Sequence, residues 1–309
     1  MLAAAACRGN GGGSAHQPAD HERTETTAPC LAVHGTILAV FLVTFGDALL
    51  DVIVRHAEPL APGADVAAAT RTGAGGQAAN VAAWAVALGA RARCVARRGD
   101  DPAGQLVAAE LEDRGVELVG PAVGRTGVVV SLVGAGGERT MASDRGSATE
   151  LAPVDLDQTW FACDCLHISG YALLAAPIDA AALHAAGLAR AGGARVSVDL
   201  SAWTQIRAFG PGRFREQLEA LAPDVIFANE AEWEIVGAAY GLAPTAVVKR
   251  GERGLLVLGE ERIELPPAHT DVLDATGAGD AVAAGFLVGG AELAVEAAAR
   301  CVANVGAMP

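Results

Sequence analysis

The residues best suited to chemistry lie towards the C-terminal end, in the segment Leu273-Asp274-Ala275-Thr276-Gly277-Ala278-Gly279-Asp280. The apolar run Ala281–Leu287 follows directly and predicts a helix that begins in this segment. The first turn of a helix leaves backbone N–H groups without intrahelical partners, and the helix dipole favours an anion there. A carboxylate beside such a site can take a proton from a hydroxyl that attacks the anion, as phosphoryl transfer to an alcohol requires. The alternative is an ordinary loop in which Asp280 only caps the helix.

Two common nucleotide-binding patterns do not explain the chain. No Gly-x-x-x-x-Gly-Lys-Ser/Thr pattern occurs in the sequence, which excludes a P-loop. Gly73–Ala78 matches the dinucleotide fingerprint Gly-x-Gly-x-x-Ala, but that fingerprint needs a buried strand before it. Ala67–Thr72 does not have the pattern of a buried strand, so this interpretation is disfavoured.

Composition limits the kinds of partner. The chain has 309 residues, of which 52% are hydrophobic but only 4% aromatic, so its core must be built mainly from Ala, Val and Leu. Lys and Arg number 22 against 36 Asp and Glu, which gives a formal net charge of −14. Such an acidic chain is not expected to bind nucleic acid or an anionic membrane, and any polyanion it binds needs a local positive site.

The cysteine pattern favours a reducing compartment. Six cysteines without regular spacing predict free thiols and a cytoplasmic protein. Cys163, Cys165 and His167 would share one face of a strand, where either a metal site or buried small side chains could result. The spacing lacks the usual loop-borne ligand pattern, so buried side chains are favoured.

Most of the sequence alternates between apolar β-type runs and Ala-rich helical stretches, which predicts a parallel sheet covered by helices on both faces. The predicted helices include Ala78–Leu88, closed by Gly89, and Pro102–Arg114, with Asp101 as its N-cap. The predicted strands are Ile37–Phe45, Arg93–Ala96, Leu166–Ser169, Arg195–Asp199, Val225–Ala228 and Ala246–Lys249.

Two regions break this alternation and predict a small β-layer. Residues 51–70 and 126–142 carry strand signals with no helix between them, and the second contains a hairpin pattern around Gly134–Gly137. We interpret this layer as a lid, although an antiparallel extension of the main sheet is the alternative. Residues 1–35 are polar and Gly-rich and are expected to form a disordered tail, with one domain over 36–309.

Two separate motifs make the sequence resemble a known family. Gly75-Gly76-Gln77-Ala78-Ala79-Asn80-Val81-Ala82, with Leu88-Gly89 and Gly99–Gly104 after it, is similar to the N-terminal signature of the PfkB carbohydrate kinases, the ribokinase-like family. Asp274–Asp280 resembles the C-terminal signature of that family. The resemblance implies a three-layer α/β/α fold with a mainly parallel central sheet and a small β-sheet lid. It also implies transfer of the γ-phosphoryl group of ATP to a hydroxyl of a small polyhydroxylated substrate.

The resemblance assigns roles at the reaction centre. Asp280 resembles the catalytic base, and the N–H groups of Gly277, Ala278 and Gly279 resemble the anion hole for the transferred group. We expect Asp280 to be ionised at neutral pH, as a base must be.

Substrate-binding roles come from the resemblance as well. Gly46–Asp51 is similar to the end of the family's first strand, and the substrate-binding carboxylate maps to Asp51. Gly75 and Gly76 would let the backbone approach the sugar, and Asn80 would hydrogen-bond its hydroxyls. The alternative for Asn80 is a hydrogen bond to local backbone.

Val248–Gly254 resembles the loop that binds ATP, with Lys249, Gly251 and Gly254 as nucleotide contacts, although a basic turn between strands is the alternative. Asn229 and Glu232 resemble the family's Asn-x-x-Glu, which is linked to nucleotide phosphate and, indirectly, to Mg²⁺; the alternative is a helix start with acidic residues. Mg²⁺ is implied with ATP because it neutralises the triphosphate. Asp274 and Thr276 could contribute to a K⁺-type monovalent-cation site.

Some features depart from the family pattern or leave alternatives open. Ala275 and Val282 replace the more common Thr and Phe, and the sequence stops, at Pro309, before the segment expected to complete the adenine pocket and cation site. A nucleoside kinase and a non-catalytic sugar-binding homologue are the alternatives to a sugar kinase. The predicted lid regions contain no Phe, Tyr or Trp to stack on a purine, which favours a sugar. A homodimer formed through the lid is also compatible with the family.

Overall fold

The computed structural model describes residues 39–136, 139–237 and 241–309. The predicted tail at residues 1–35, like the first two residues of the predicted strand Ile37–Phe45, lies outside these ranges. Strands and helices alternate along most of the described residues, as the sequence predicts.

A nine-stranded central sheet forms the middle layer. Its order is β13-β12-β11-β10-β9-β8-β1-β4-β5, and all neighbours are parallel except at β12 and β13, which are antiparallel to the strands they follow. The strands are β1 Phe41–Phe45, β4 Arg91–Val95, β5 Glu117–Val119, β8 Cys165–Ser169, β9 Arg195–Asp199, β10 Val225–Asn229, β11 Thr245–Lys249, β12 Leu255–Leu258 and β13 Arg262–Leu265.

Helices cover both faces of this sheet and make the outer two layers. Successive strand residues enter opposite cores: Leu42 packs in the core with α1, α7 and α8, while Val43 packs in the core with α3 and α5. The helices are α1 Gln77–Ala87, α2 Pro102–Asp113, α3 Ile178–Ala191, α4 Trp203–Phe209, α5 Pro211–Leu221, α6 Glu230–Ile235, α7 Ala278–Gly289 and α8 Ala291–Val302. The predicted three-layer α/β/α fold is therefore confirmed.

A separate small sheet has the order β3-β2-β6-β7, with β2 Leu49–His56, β3 Ala68–Gly75, β6 Thr126–Val133 and β7 Arg139–Gly146. The outer pairs are antiparallel and the central pair β2–β6 is parallel. This confirms a second, smaller sheet built from the two predicted regions, with β3 and β7 extending beyond the expected ends at 70 and 142.

Local signals in the sequence account for several element ends. Asp101 caps α2 as predicted, because its Oδ1 accepts a hydrogen bond from the N–H of Gly104 at 2.9 Å. The placement of Cys163 on a strand with Cys165 and His167 was wrong, since β8 begins at Cys165. Among the described residues, no helix is long and apolar enough to cross a membrane.

The close packing of α7 on α8 depends on a glycine. A Cβ placed on Gly285 would lie 2.6 Å from the Cα of Ala294 and 2.7 Å from the carbonyl oxygen of Leu293. Backbone atoms of a buried helix cannot move aside at low cost, so only glycine fits here.

We therefore expect Gly285→Ala to lower the free energy of unfolding by about 2 kcal/mol, because overpacking outweighs the higher helix propensity of Ala. Gly187→Ala is the matched control, since Gly187 is an exposed position of α3 where an added Cβ meets nothing within 4 Å. This control should gain about 0.5–1 kcal/mol. Urea denaturation of both variants checks the pair; equal effects would contradict the proposed clash.

Candidate active site

The N-terminus of α7 lies at the centre of the candidate site. Gly277 is its N-cap, with a φ of +78°, and a Cβ there would lie 2.5 Å from the carbonyl oxygen of Ala307. This position therefore requires glycine for both conformation and space. Within the described part of the chain, the N–H groups of Gly277 and Gly279 have no hydrogen-bond partner, whereas that of Ala278 donates to the Ala275 carbonyl at 3.3 Å. Two of the three predicted anion-hole amides are thus available to an anion.

Asp280 lies in the first turn of α7 and is held by α1. The side-chain amide of Asn80 donates to Oδ2 of Asp280 at 2.7 Å. Asn80 is only 6% exposed, and its Oδ1 is buried without a hydrogen-bond partner among the described residues. Asn80 therefore bonds the predicted base rather than local backbone, and it has one acceptor left that a substrate hydroxyl could use.

The expectation that Asp280 is fully ionised at neutral pH was wrong. Burial raises the pKa of Asp280 to about 7, against the lowering effects of the Asn80 hydrogen bond and of Lys249. The negative charge of Asp199 adds to the increase. Both protonation states of Asp280 are consequently populated near neutrality. A pKa close to the working pH suits a general base.

Lys249 supplies a positive charge beside the amides. A Cβ on Gly279 would lie 3.1 Å from Nζ of Lys249, which places the ammonium group against the first turn of α7. The same Nζ donates to Oδ2 of Asp199 at 2.6 Å, and Asp199 is fully buried. Burial opposes the charge of Lys249, but the carboxylates of Asp199 and Glu232 outweigh burial and raise its pKa. Lys249 is therefore positively charged at neutral pH.

Asn229 and Glu232 bind each other at the start of α6. Oδ1 of Asn229 accepts from the N–H of Glu232 at 2.9 Å, and Oε2 of Glu232 accepts from the N–H of Asn229 at 2.8 Å. This reciprocal pair is a capping box, as the helix-start alternative describes. Glu232 is 2% exposed, and burial raises its pKa to about 7. The nucleotide and Mg²⁺ roles expected of these two residues remain predictions.

Two aspartates, one before β2 and one within it, approach the glycines that precede α1. A Cβ on Gly75 would lie 2.2 Å from Cγ of Asp51, and one on Gly76 would lie 2.5 Å from the carbonyl oxygen of Asp47. The two aspartates thus occupy the space that a Cβ would need at either glycine, and contact of Gly75 and Gly76 with a sugar stays a prediction. Burial raises the pKa of Asp51 to about 6, while the charge of Arg139 lowers it.

Some residues of the site were not predicted. Arg145 forms an ion pair with Asp47, which is 2% exposed, and its guanidinium carbon lies 4.6 Å from the centre of the Tyr171 ring. The charges of Asp47 and Asp280 both act on Tyr171. Asp47 lies in the Gly46–Asp51 motif, and Asp199 ends a predicted strand; these positions were the available signals.

The predicted cation residues contact protein groups. The carboxylate of Asp274 accepts from the N–H of Thr276 at 2.9 Å and from that of Gly306 at 3.1 Å, and the Thr276 hydroxyl accepts from Arg139. Among the described residues, no group of three or more His, Cys, Asp or Glu is placed to hold a metal ion. A monovalent-cation role for Asp274 and Thr276 stays a prediction.

A cavity of about 580 Å³ adjoins the amides and Lys249. Its lining combines the basic loop after β11 with an apolar wall from α7 and α8, a combination suited to a ligand with a charged end and an apolar end. The lining residues include Lys249, Gly251, Gly254, Leu255, His269, Val272, Gly279, Val282, Val295 and Val302. The predicted contacts Lys249, Gly251 and Gly254 are therefore brought together, whereas Asn229 does not line this cavity.

The three layers, the small sheet and a charged helix N-terminus define a ribokinase-like protein. Adenosine kinase from Sinorhizobium meliloti has a similar structure, with a TM-score of 0.79 and 25% sequence identity; the match covers 87% of this chain and 96% of that one.

The chain belongs to the PfkB family of carbohydrate kinases, because the model of the pfkB family carbohydrate kinase matches residues 40–308. It is 34% identical to the ATP-dependent ribose-1-phosphate kinase of Halopiger xanaduensis, over 85% of this chain and 90% of that protein. It is 29% identical to Fructokinase-1 of Oryza sativa subsp. japonica, over 80% of this chain and 81% of that protein. The resemblance seen in the sequence is confirmed, and the protein is a phosphotransferase with an alcohol group as acceptor.

The raised pKa of Asp280 predicts a pH-dependent gain in stability on its removal. A raised carboxylate pKa means that the folded state binds the proton more tightly, so the charge destabilises the fold above pH 7 and has no cost below about pH 4. We expect Asp280→Asn to raise the free energy of unfolding at pH 8 by about 1–2 kcal/mol, or Tm by about 2–5 °C, and to lose this gain as the pH falls.

Thermal unfolding of both proteins between pH 4.5 and 8.5 measures this difference. Asp271→Asn is the control, because Asp271 is an exposed carboxylate close by in the sequence, and its Tm should follow that of the unmodified protein. An Asp280→Asn variant that is no more stable at pH 8 than at pH 5, relative to the unmodified protein, contradicts the burial argument.

Proposed function

We propose that the protein transfers the γ-phosphoryl group of ATP to a hydroxyl of a sugar, with Asp280 as the general base. The observation that carries the proposal is the combination, within one helical turn, of the Asp280 carboxylate with two N–H groups free to bind an anion. Lys249 adds a positive charge beside Gly279. Phosphoryl transfer depends mainly on positioning and charge stabilisation, which these groups supply.

The proposed step moves one proton and one phosphoryl group. The acceptor hydroxyl gives its proton to Asp280 while its oxygen forms a bond to the γ-phosphorus. The bond between that phosphorus and the β–γ bridging oxygen breaks, and ADP leaves with the electron pair. The N–H groups of Gly277 and Gly279 donate to the oxygens of the transferred group, on which charge is concentrated.

The cavity beside α7 supports an ATP site. Gly251 and Gly254 form the turn at its polar end, and apolar side chains of α7 and α8 form a wall that suits a purine. Mg²⁺ would be bound mainly by the triphosphate, with Glu232 as an indirect contact, and neutralises phosphate charge when bound. A K⁺ site, a homodimer through the small sheet and a cytoplasmic location remain predictions.

A nucleoside kinase is the second candidate, and the similarity to adenosine kinase of S. meliloti favours it. Tyr171 provides an aromatic ring near Asp280, outside the two predicted lid regions. However, the Arg145 guanidinium group already lies over this ring, which leaves less of it for stacking on a base. The sugar therefore remains the favoured acceptor. A non-catalytic homologue would have no need of a carboxylate held with a pKa near 7.

ADP release from ATP in the presence of sugars, sugar phosphates, sugar acids and nucleosides tests the reaction and separates these candidates. We expect Asp280→Asn to lower kcat by at least about 100-fold with the Kd for ATP largely unchanged, because the base is lost but the amides remain. Asp271→Asn is the control and should keep its turnover. Near-normal turnover of Asp280→Asn would remove this residue from the mechanism.

The pKa of Asp280 also predicts the pH profile. A base acts in its deprotonated form, so kcat/KM should rise about tenfold per pH unit below pH 7 and level off above it. Removal of the Asn80 hydrogen bond, which lowers this pKa, should move the rise to higher pH in Asn80→Ala. If the titrating group belonged to the substrate, the unmodified protein and Asn80→Ala would have pH profiles with the same midpoint. An unchanged midpoint therefore contradicts the assignment of the rise to Asp280.

A further inference from the structure

One face of the small sheet carries a concentration of arginines. Paired residues of neighbouring strands point to the same face of a sheet, and residues two apart on a strand do so as well. Arg71 pairs with Ile53, and Arg55 pairs with Val133, which in turn pairs with Arg139. The register therefore places four arginines and one carboxylate on a single face, which we call the arginine face: Arg55, Arg71, Arg139, Arg145 and Asp51.

The arginine face is turned towards the N-terminus of α7. Arg139 donates to the hydroxyl of Thr276, the residue immediately before Gly277. Arg71 donates to the carbonyl oxygen of Val305 at 3.3 Å. Asp51, on the same face, is among the charges that act on Asp280. A substrate whose hydroxyl reaches Asp280 would therefore lie against this face.

Two arginines on the outer part of this face have no ion-pair partner among the described residues. Arg71 and Arg139 make no ion pair with any residue that the structure describes; their partners are a carbonyl, a hydroxyl and the sulfur of Met141. The ion pair of Arg55 with Asp274 is long, at 3.7 Å, and Asp274 already accepts from two backbone N–H groups. Guanidinium groups do not lose their proton at neutral pH. Arg55, Arg71 and Arg139 thus carry three positive charges, against the two carboxylates of Asp274 and Asp51, in a chain whose net charge is −14.

We propose that the acceptor sugar carries a phosphate ester, which is bound by Arg71 and Arg139 with Arg55 beside them. The inference rests on the proposed kinase function and names its substrate class. The planar fork of arginine matches phosphate oxygens with paired, charge-assisted hydrogen bonds, which a neutral sugar cannot offer. Asp51, whose charge acts on Asp280, and the free Oδ1 of Asn80 would then bind sugar hydroxyls.

The first experiment compares sugars with their phosphate esters in the ADP-release assay. Ribose is tested against ribose 1-phosphate and ribose 5-phosphate, fructose against fructose 6-phosphate, and gluconate represents sugar acids. We expect kcat/KM for at least one phosphate ester to exceed that of its parent sugar by about 100-fold or more, as two charge-assisted contacts would give.

The second experiment removes the arginines singly. Arg71→Gln and Arg139→Gln should each raise KM for the phosphate ester by about tenfold or more, with kcat changed by less than about threefold. The reason is that these contacts bind the phosphate group of the substrate, which is remote from the reacting atoms. In both variants kcat/KM should fall at least about tenfold more for the phosphate ester than for the parent sugar, because only the ester loses a charge-assisted contact. Arg125→Gln is the matched control, because Arg125 pairs with exposed Asp144 on the opposite face of the same sheet.

The outcomes separate this inference from the kinase proposal. Parent sugars or gluconate used as well as the phosphate esters would overturn the phosphate site while leaving the kinase function intact. Equal KM values in Arg71→Gln, Arg139→Gln and Arg125→Gln would also overturn it. If no acceptor stimulates ADP release, the kinase proposal fails; calorimetric titration of the protein with the same esters then decides the phosphate site, and no binding overturns it.

Discussion

The ammonium group of Lys249 makes the rest of the site possible. It bonds the fully buried Asp199 at 2.6 Å and stabilises the charged forms of Glu232 and Asp280 as well. Three carboxylates could not share this space without it, because each lowers the tendency of the others to ionise. The single charge of Lys249 does not fully offset the burial of these carboxylates. Asp280 and Glu232 therefore keep pKa values of about 7, in the range where a proton can be exchanged near neutral pH.

The parallel sheet explains why these charges meet. Asp199 and Lys249 end β9 and β11, and Asn229 ends β10 between them. The carboxyl ends of parallel strands lie along one edge of a sheet, and ligands of open α/β folds bind at that edge. Helix α7 then brings its N-terminus, with its free N–H groups, to the same edge. Strand direction and the position of α7 therefore bring Asp199, Lys249 and the free N–H groups of the helix together at one edge of the sheet.

The sequence allowed the fold and the main motifs to be predicted, because their signals are local. Alternating apolar runs and Ala-rich helices indicated the three layers, and Gly277–Asp280 indicated the anion site. What could not be predicted are pairings between distant segments. The Asn80–Asp280 hydrogen bond joins residues 200 positions apart, and the Asp199–Lys249 ion pair crosses the intervening strand β10. Neither sheet order nor register can be read from these residues alone.

The error over the ionisation of Asp280 has the same origin. Its position at a helix N-terminus favours the charged form, and this was the only effect visible in the sequence. Burial, which acts in the opposite direction and is larger, depends on how α1 and α7 pack. Similarly, Arg145 and Tyr171 belong to the site only because β7 and the segment after β8 meet over Asp47.

The loop before α7 is fixed by contacts from several parts of the chain. The N–H groups of Leu273 and Asp274 donate to the Val302 carbonyl, Gly306 donates to Asp274, and Ala307 packs against Gly277. Trp84 in turn donates to the Ala307 carbonyl at 2.8 Å. Because all of these groups belong to the protein itself, the direction of the Gly277 and Gly279 N–H bonds does not depend on a bound phosphate. Little reorganisation energy is then required when charge develops on the transferred group, which is the condition under which fixed dipoles are most effective.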